Sequence, residues 1–162
     1  MRDGAQQGWG RLWAPWRRRY VTHPSQRGCL FCRIGKGRDD RRNRILHRSR
    51  HAFVLLNRYP YNNGHLLIAP YAHVANLGRL NDPEVLDVWH LADRFVRHLG
   101  KRLAPHGYNL GINLGRSSGA GVVGHLHLHV VPRWNGDTNF VPVAAGTKVI
   151  SDSLDALYRS LR

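Results

Sequence analysis

Long apolar runs are missing from the sequence. The longest candidates, at residues 52–56 and 66–69, are far shorter than the about 20 residues that a membrane-crossing helix needs. The charged N-terminus has no apolar segment behind it, so it does not resemble a secretory signal. We therefore expect a cytoplasmic protein without a membrane partner.

Cysteine is scarce, because the chain contains only Cys29 and Cys32. A single Cys-x-x-Cys cannot supply a disulfide framework for a domain of this length. From these residues alone, three interpretations stay open: a metal site, a redox pair, or two small core residues.

Acidic residues are few. The chain has 10 Asp and Glu against 25 Lys and Arg, and its net charge is +15. Such a surface attracts phosphate groups, whether on nucleotides or on nucleic acid. An arginine-rich composition alone gives the same charge, so charge specifies no partner. The basic segments 17–19 and 38–50 keep a nucleic-acid-binding module as an alternative function.

The 162 residues fit one domain. We expect an N-terminal arm at 1–27, whose tryptophans dock on the domain or on a partner subunit, and a folded domain at 28–162. Residues 35–44 are polar and are predicted to form a solvated loop.

The predicted fold is an α+β domain on an antiparallel sheet. Apolar runs between turn-rich segments predict strands at 52–56, 65–69, 108–114 and 125–131. A long helix follows the second strand, with Asp82 as its cap and Pro83 in its first turn. Its apolar residues recur at steps of three and four: Val85, Val88, Trp89, Ala92, Phe95, Val96, Leu99 and Leu103. A short C-terminal helix is predicted from about Ser151.

Three histidines, His125, His127 and His129, alternate with apolar residues in the last predicted strand. Because side chains alternate across a strand, the imidazoles are predicted on one face, about 6–7 Å apart. Each imidazole has two polar nitrogens that need partners, which disfavours a surface filler. The triplet alone leaves both a catalytic zinc and a nucleophilic imidazole open.

A turn rich in glycine and serine, at residues 115–124, directly precedes the triplet. Glycines let backbone N–H groups approach an anion closely. The turn has no Gly-Lys-Ser/Thr and is not a Walker motif. A phosphate held by this turn would meet the imidazoles.

The segment His-Leu-His-Leu-His-Val-Val, preceded by Asn113 and the Gly/Ser turn, resembles the histidine triad (HIT) superfamily of nucleotidyl hydrolases and transferases. The Gly-His strand region at 55–73 and the Cys-x-x-Cys at 28–32 extend the resemblance to about residues 28–134. The resemblance implies a sheet of about five strands with one long helix, and a homodimer or larger homo-oligomer.

By this resemblance, His127 is the nucleophile that attacks the α-phosphorus of a nucleotide, and His129 and His65 assist it. Asn57 would contact the ribose. The residues implied at the phosphates are Asn113, Ser118, Gly119 and Gly121. Trp134 could stack on an adenine, although a packing role stays open.

Gly121 departs from the hydrolase branches, which carry glutamine at this position, about four residues before the first histidine. A smaller residue leaves room for an acceptor larger than water. Residues 113–121 and 132–140 resemble the bacterial diadenosine tetraphosphate phosphorylase branch, which uses inorganic phosphate and releases ADP and ATP. The alternative within the family is hydrolysis of dinucleoside polyphosphates or nucleoside phosphoramidates to AMP.

Some members of the family hold a structural zinc. The matching positions here are Cys29, Cys32, His73 and His125, and two thiolates with two imidazoles suit tetrahedral zinc. His125 would then be structural rather than catalytic. The resemblance implies no organic cofactor.

Overall fold

The structure, a computed structural model, describes residues 28–137 and 150–162. The arm predicted at 1–27 lies outside the described residues. Among those that are described, no helix is both long enough and apolar enough to cross a membrane.

A five-stranded antiparallel sheet forms the centre of the fold, which confirms the predicted α+β class and the strand number implied by the family resemblance. The strands are β1 Ile45–Arg48, β2 Ala52–Leu56, β3 Leu66–Pro70, β4 Gly107–Ile112 and β5 Leu128–Arg133. Their spatial order is β1-β2-β3-β5-β4, and each neighbouring pair is antiparallel. β3 and β5 therefore lie side by side in the middle of the sheet.

Two strand predictions need correction. β1 has no counterpart among the predicted strands, because its four residues include His47 and Arg48 and only Ile45 is fully buried. β5 starts at Leu128 rather than at residue 125. The first two histidines of the triplet therefore precede the strand, and only His129 lies within it.

Within residues 28–137 and 150–162 the α-helices are α1 Leu30–Lys36, α2 Asp40–Asn43, α3 Asp82–Leu103 and α4 Leu154–Leu161. The loop predicted at 35–44 is wrong, since it contains the end of α1 and all of α2. The side chain of Asp39 accepts a hydrogen bond from the Arg42 N–H at 3.0 Å and caps α2. Arg48 donates to the carbonyls of Gly35 and Gly37, each at 2.7 Å, and so fastens the end of α1.

The long helix α3 begins at Asp82, but its cap is Asn81 rather than Asp82. The side chain of Asn81 accepts from the Glu84 N–H, and the Glu84 carboxylate accepts from the Asn81 N–H, each at 3.0 Å. This reciprocal pair is a capping box. Trp89, predicted in the core, is 51% exposed, whereas Leu91 is buried. The buried stripe of α3 is therefore rotated slightly from the predicted one.

The sheet has a hydrophobic cluster on each face. One face packs against α3 and α4, where Leu157, Tyr158 and Leu161 are buried. The other face carries Phe53, Leu55, Leu67 and Ala69 and packs against α1 through Phe31 and Ile34. Leu67 of β3 pairs with His129 of β5. Because directly paired residues point to the same face, His129 lies on the α1 side.

Candidate functional site

The site begins where the chain turns from the β2–β3 loop into β3. Gly64 has φ +69° there, and a Cβ on it would lie 2.7 Å from Leu103 Cδ1. Glycine adopts this left-handed backbone without strain, and a side chain here would have to displace the end of the Leu103 side chain. This turn delivers His65, which is 1% exposed, to the interior beside β5.

His65 and His129 form a buried imidazole pair. The Nε2 of His65 lies 2.9 Å from Nδ1 of His129. The N–H of Tyr61, at 3.0 Å, and the amide nitrogen of Asn57, at 3.2 Å, approach Nδ1 of His65. That nitrogen must accept, so the proton of neutral His65 is on Nε2 and is donated to His129. Because Nδ1 of His129 accepts this hydrogen bond, the ring proton of neutral His129 is on its Nε2.

His65 is held in the neutral form by its surroundings. Burial, and then the charges that His129 and His127 can carry, lower the pKa of His65 to about 3. His65 is therefore neutral across the ordinary pH range. Neutral His65 can link the main chain of the loop, through Tyr61 N–H, to Nδ1 of His129 by two hydrogen bonds without adding a charge.

His127 has its own fixed orientation. Its Nδ1 lies 2.8 Å from the carbonyl oxygen of His125. A carbonyl only accepts, so Nδ1 carries the proton and Nε2 keeps its lone pair. Burial lowers the pKa of His127, against an opposing effect of the bond to the His125 carbonyl. The arrangement therefore presents a neutral imidazole with a basic nitrogen, the form that a nucleophile needs.

The rings of His127 and His129 are adjacent, with centroids 5.0 Å apart. His127 precedes β5, so the predicted spacing of about 6–7 Å along a strand does not apply to this pair. The ring of Phe31, in α1, packs 4.8 Å from the ring of His127 on another side. Both histidines are at least 90% buried.

His125 belongs to a different group of side chains. Its Nε2 lies 2.9 Å from the carbonyl oxygen of Pro70 and donates to it, which leaves Nδ1 as a lone-pair nitrogen. That Nδ1 lies 3.3 Å from Cys29 Sγ, 3.6 Å from Cys32 Sγ and 3.3 Å from His73 Nδ1. The triplet is thus divided between two clusters.

The second cluster has the donor set of a metal site. The ligand atoms of Cys29, Cys32, His73 and His125 all lie within 4.8 Å of one another. Tetrahedral zinc with ordinary bond lengths separates its nitrogen and sulfur ligands by about 3.3–3.8 Å. Burial raises the pKa of the Cys32 thiol and so favours its neutral form. A bound cation would act in the opposite direction and favour the thiolate. The residues fit a zinc ion.

The Gly/Ser turn follows the end of β4. Ile112, the last residue of β4, pairs with Leu128, the first residue of β5, so Asn113 and His127 are the residues that directly adjoin this last pair in sequence. In the turn itself, Ser118 Oγ donates to the Gly115 carbonyl at 2.9 Å. Gly115 and Gly119 have φ of +79° and +82°. Ser118, Gly119 and Gly121 are exposed.

Trp134 is not brought to the histidines. Its indole N–H donates to the Leu103 carbonyl at 3.3 Å, at the end of α3. It follows β5, about 17 Å from His129 along an extended chain. The position supports the packing interpretation.

Sequence reasoning missed Tyr61 and Phe31. Phe31 lies between the two cysteines and contacts both His125 and His127. An apolar residue flanked by two metal-ligand candidates was the available signal. Tyr61 carries no such signal, since tyrosine in a turn-rich segment is common on surfaces.

Comparison with known proteins places this geometry in a family. The HIT domain model matches residues 39–136. The AP-4-A phosphorylase of Mycobacterium tuberculosis is 36% identical over 156 residues, which cover 89% of this chain and 78% of that protein. The chain belongs to the HIT domain family. The resemblance predicted from the triplet is confirmed.

Other HIT proteins are similar over a smaller share of the sequence or at lower identity. The protein hit of Bacillus subtilis is 27% identical over 112 residues, 69% of this chain and 75% of its own length. The crystal structure of a zinc-bound histidine triad family protein from Mycobacterium smegmatis has a TM-score of 0.66 and 27% identity. The match covers 83% of this chain and 91% of that one. The fold of this chain is therefore the HIT fold.

Proposed function

We propose that this HIT protein transfers a nucleotidyl group through His127, and that its reaction is the phosphorolysis of diadenosine tetraphosphate. The Nε2 of His127 attacks an α-phosphorus, a P–N bond forms, and the P–O bond to the departing ATP breaks. Inorganic phosphate then attacks the same phosphorus, the P–N bond breaks, and ADP is released. The sum is diadenosine tetraphosphate plus phosphate giving ATP plus ADP.

The observation that carries this proposal is the fixed tautomer of His127. A nucleophilic imidazole must be neutral and must direct a lone pair at phosphorus. The bond from Nδ1 to the His125 carbonyl meets this requirement without a carboxylate partner. Burial, which lowers the pKa of His127, favours the same neutral form.

His129 and His65 act as supporting groups in this proposal. His65 donates to Nδ1 of His129, so Nε2–H of His129 is a donor for an oxygen of the transferred phosphate. Asn57, whose side-chain nitrogen lies 3.2 Å from Nδ1 of His65, is assigned to the ribose, and Asn113, directly after β4, to the phosphates. The exposed turn residues Ser118, Gly119 and Gly121 extend the phosphate site. Trp134 has no role in this assignment.

Phosphate is proposed as the acceptor on two grounds. A relative with 36% identity bears the name AP-4-A phosphorylase. Gly121 also replaces the glutamine of the hydrolase branches and leaves space for an acceptor larger than water. Hydrolysis to AMP remains the alternative within the family.

The deciding experiment is product analysis of purified protein with diadenosine tetraphosphate, with and without inorganic phosphate. We expect ATP and ADP in equal amounts, formed only when phosphate is present. AMP formed at the same rate without phosphate would make the protein a hydrolase. His127→Ala, with its folding checked by circular dichroism, is expected to abolish turnover, and wild-type turnover by this variant would refute the nucleophile assignment.

We also propose that Cys29, Cys32, His73 and His125 hold a structural zinc. A zinc-bound HIT relative supports this assignment, as do the ligand distances. When bound, the ion supplies a cross-link between the start of α1 and the chain that enters β5. Metal analysis of the wild type and of Cys29→Ser tests it: a wild type without zinc would contradict the proposal.

A homodimer stays a prediction from the family resemblance. β4 lies at one end of the sheet formed by the described residues, and an edge strand offers backbone groups for pairing with another chain. Sedimentation measurements on the full chain test this prediction.

A further inference from the structure

Tyr61 makes three contacts with the buried histidine pair. Its ring lies nearly parallel to the ring of His129, with an interplanar angle of 8° and a centroid distance of 5.6 Å. The same ring lies 4.6 Å from the ring of His65. Its main-chain N–H donates to Nδ1 of His65 at 3.0 Å. One exposed residue thus contacts both imidazoles.

The loop that carries Tyr61 is anchored on both sides of it. Asn62, which is 7% exposed, donates to the Pro132 carbonyl at 3.0 Å and to the Asp137 carboxylate at 2.8 Å. Gly64 fits closely under α3. The ring of Tyr61 is 44% exposed, so its place over His129 is set by these anchors and by the stacking contact rather than by burial in the core.

We propose that Tyr61 is a positioning residue that fixes the orientation and the tautomer of His129. Its N–H keeps Nδ1 of His65 an acceptor, so the proton on Nε2 of His65 points at Nδ1 of His129. Its ring holds the plane of His129 in the orientation that receives this bond. Nε2–H of His129 is then the group directed at the phosphate oxygen. This role rests on the function proposed for His127 and His129.

Stacking of the Tyr61 ring on the His129 ring is suited to holding the plane of His129. Aromatic pairs contribute modestly beyond the area they bury, so loss of the ring should change the population of productive His129 orientations without unfolding the protein. The three contacts with the imidazoles are made by the ring and the main-chain N–H of Tyr61, not by its hydroxyl. Phenylalanine at this position should therefore preserve the orientation of His129, whereas an aliphatic residue should not.

The test compares Tyr61→Phe with Tyr61→Leu in the full chain. The first measurement is the nitrogen chemical shifts of the histidine rings by NMR, without substrate, which report the tautomer of His129. The second is kcat and KM for phosphorolysis. We expect Tyr61→Phe to match the wild type in both. Tyr61→Leu keeps the main-chain N–H but lacks the ring that holds the plane of His129, so His129 should rotate out of the bond from His65. The His129 nitrogens should then move toward a tautomer average and kcat should fall about threefold to tenfold, with KM within about twofold.

Tyr71→Leu is the matched control, because Tyr71 is also partly exposed and packs on another aromatic ring, that of Phe53, at 5.3 Å. It should leave the His129 nitrogens unchanged. If Tyr71→Leu moves them as far as Tyr61→Leu does, the effect is general loosening and the proposal is wrong. Unchanged His129 nitrogens in Tyr61→Leu would also overturn it. Should Tyr61→Leu fold poorly, Tyr61→Met takes its place under the same criteria.

The two proposals fail in different ways. A wild type without turnover on dinucleoside polyphosphates removes the proposed function, while the nitrogen shifts still report whether Tyr61 orients His129. A wild type with turnover, together with a Tyr61→Leu variant of unchanged kcat, removes the positioning role alone.

Discussion

Replacing Gly64 with alanine tests whether the entry into β3 depends on the missing side chain. The residue has φ +69°, and a left-handed conformation costs a non-glycine residue about 1–2 kcal/mol. The added Cβ would also lie 2.7 Å from Leu103 Cδ1, 3.3 Å from Pro132 Cγ and 3.4 Å from Leu99 Cδ2. Overpacking of a core typically costs about 1–3 kcal/mol, and the lower end applies here because the atom at 2.7 Å is the end of the Leu103 side chain, which can move aside. We expect a total loss of about 2–3 kcal/mol in the free energy of unfolding.

Gly115→Ala separates the two contributions. Gly115 has φ +79°, but a Cβ added there would have no atom within 4 Å beyond its own chain neighbours, so only the backbone cost of about 1–2 kcal/mol applies. Urea unfolding at 25 °C, with equal m-values for both variants, gives the comparison. Equal losses for Gly64→Ala and Gly115→Ala would refute the argument that α3 leaves no room at residue 64.

Three further predictions follow from other contacts. The pKa of His65 falls from an unfolded value near 6.5 to about 3 in the folded protein. Because the unfolded chain therefore binds the proton first, the free energy of unfolding should decrease as pH falls through this window, by up to about 1.4 kcal/mol per pH unit. His65→Gln should flatten this slope in acid titrations followed by fluorescence, and an unchanged slope would contradict the assignment. Arg48→Ala removes the hydrogen bonds to the end of α1 and the ion pair with Asp40 at 2.8 Å. It should lower the free energy of unfolding, measured in urea, by about 1–3 kcal/mol. A loss below about 0.5 kcal/mol would show that these Arg48 contacts contribute little to stability. Removal of bound metal by a chelator should lower Tm, and this effect should be absent in Cys32→Ser.

The sequence predicts the centre of this fold better than its margins. Residues 52–56 and 66–70 are strongly apolar and buried on both faces, and α3 has a clear helical period, so local pattern and tertiary packing agree. β1 is different, since its burial depends on pairing with β2 and not on its own composition. Trp89 also misleads, because a large apolar residue next to the buried stripe need not enter the core.

The candidate site could be predicted by residue type but not by arrangement. The spacing of the triplet indicates three imidazoles on one strand face. The chain instead joins β5 only at Leu128, and the Pro70 carbonyl and the two cysteines hold His125 in the other cluster. These partners lie more than 50 residues away in sequence. Tyr61 was missed for a similar reason, because its orientation depends on the distant Pro132 and Asp137.

Phe31 has a consequence for how this protein must be measured. It lies between the two cysteines in sequence, and its ring contacts the rings of both His125 and His127. If the proposed zinc orders the start of α1, it would also order the ring that packs against His127, and such linkage between two sites is reciprocal. A preparation only partly loaded with metal would contain two populations with different nucleotide affinities. Its binding isotherm would be broadened in a way that resembles negative cooperativity.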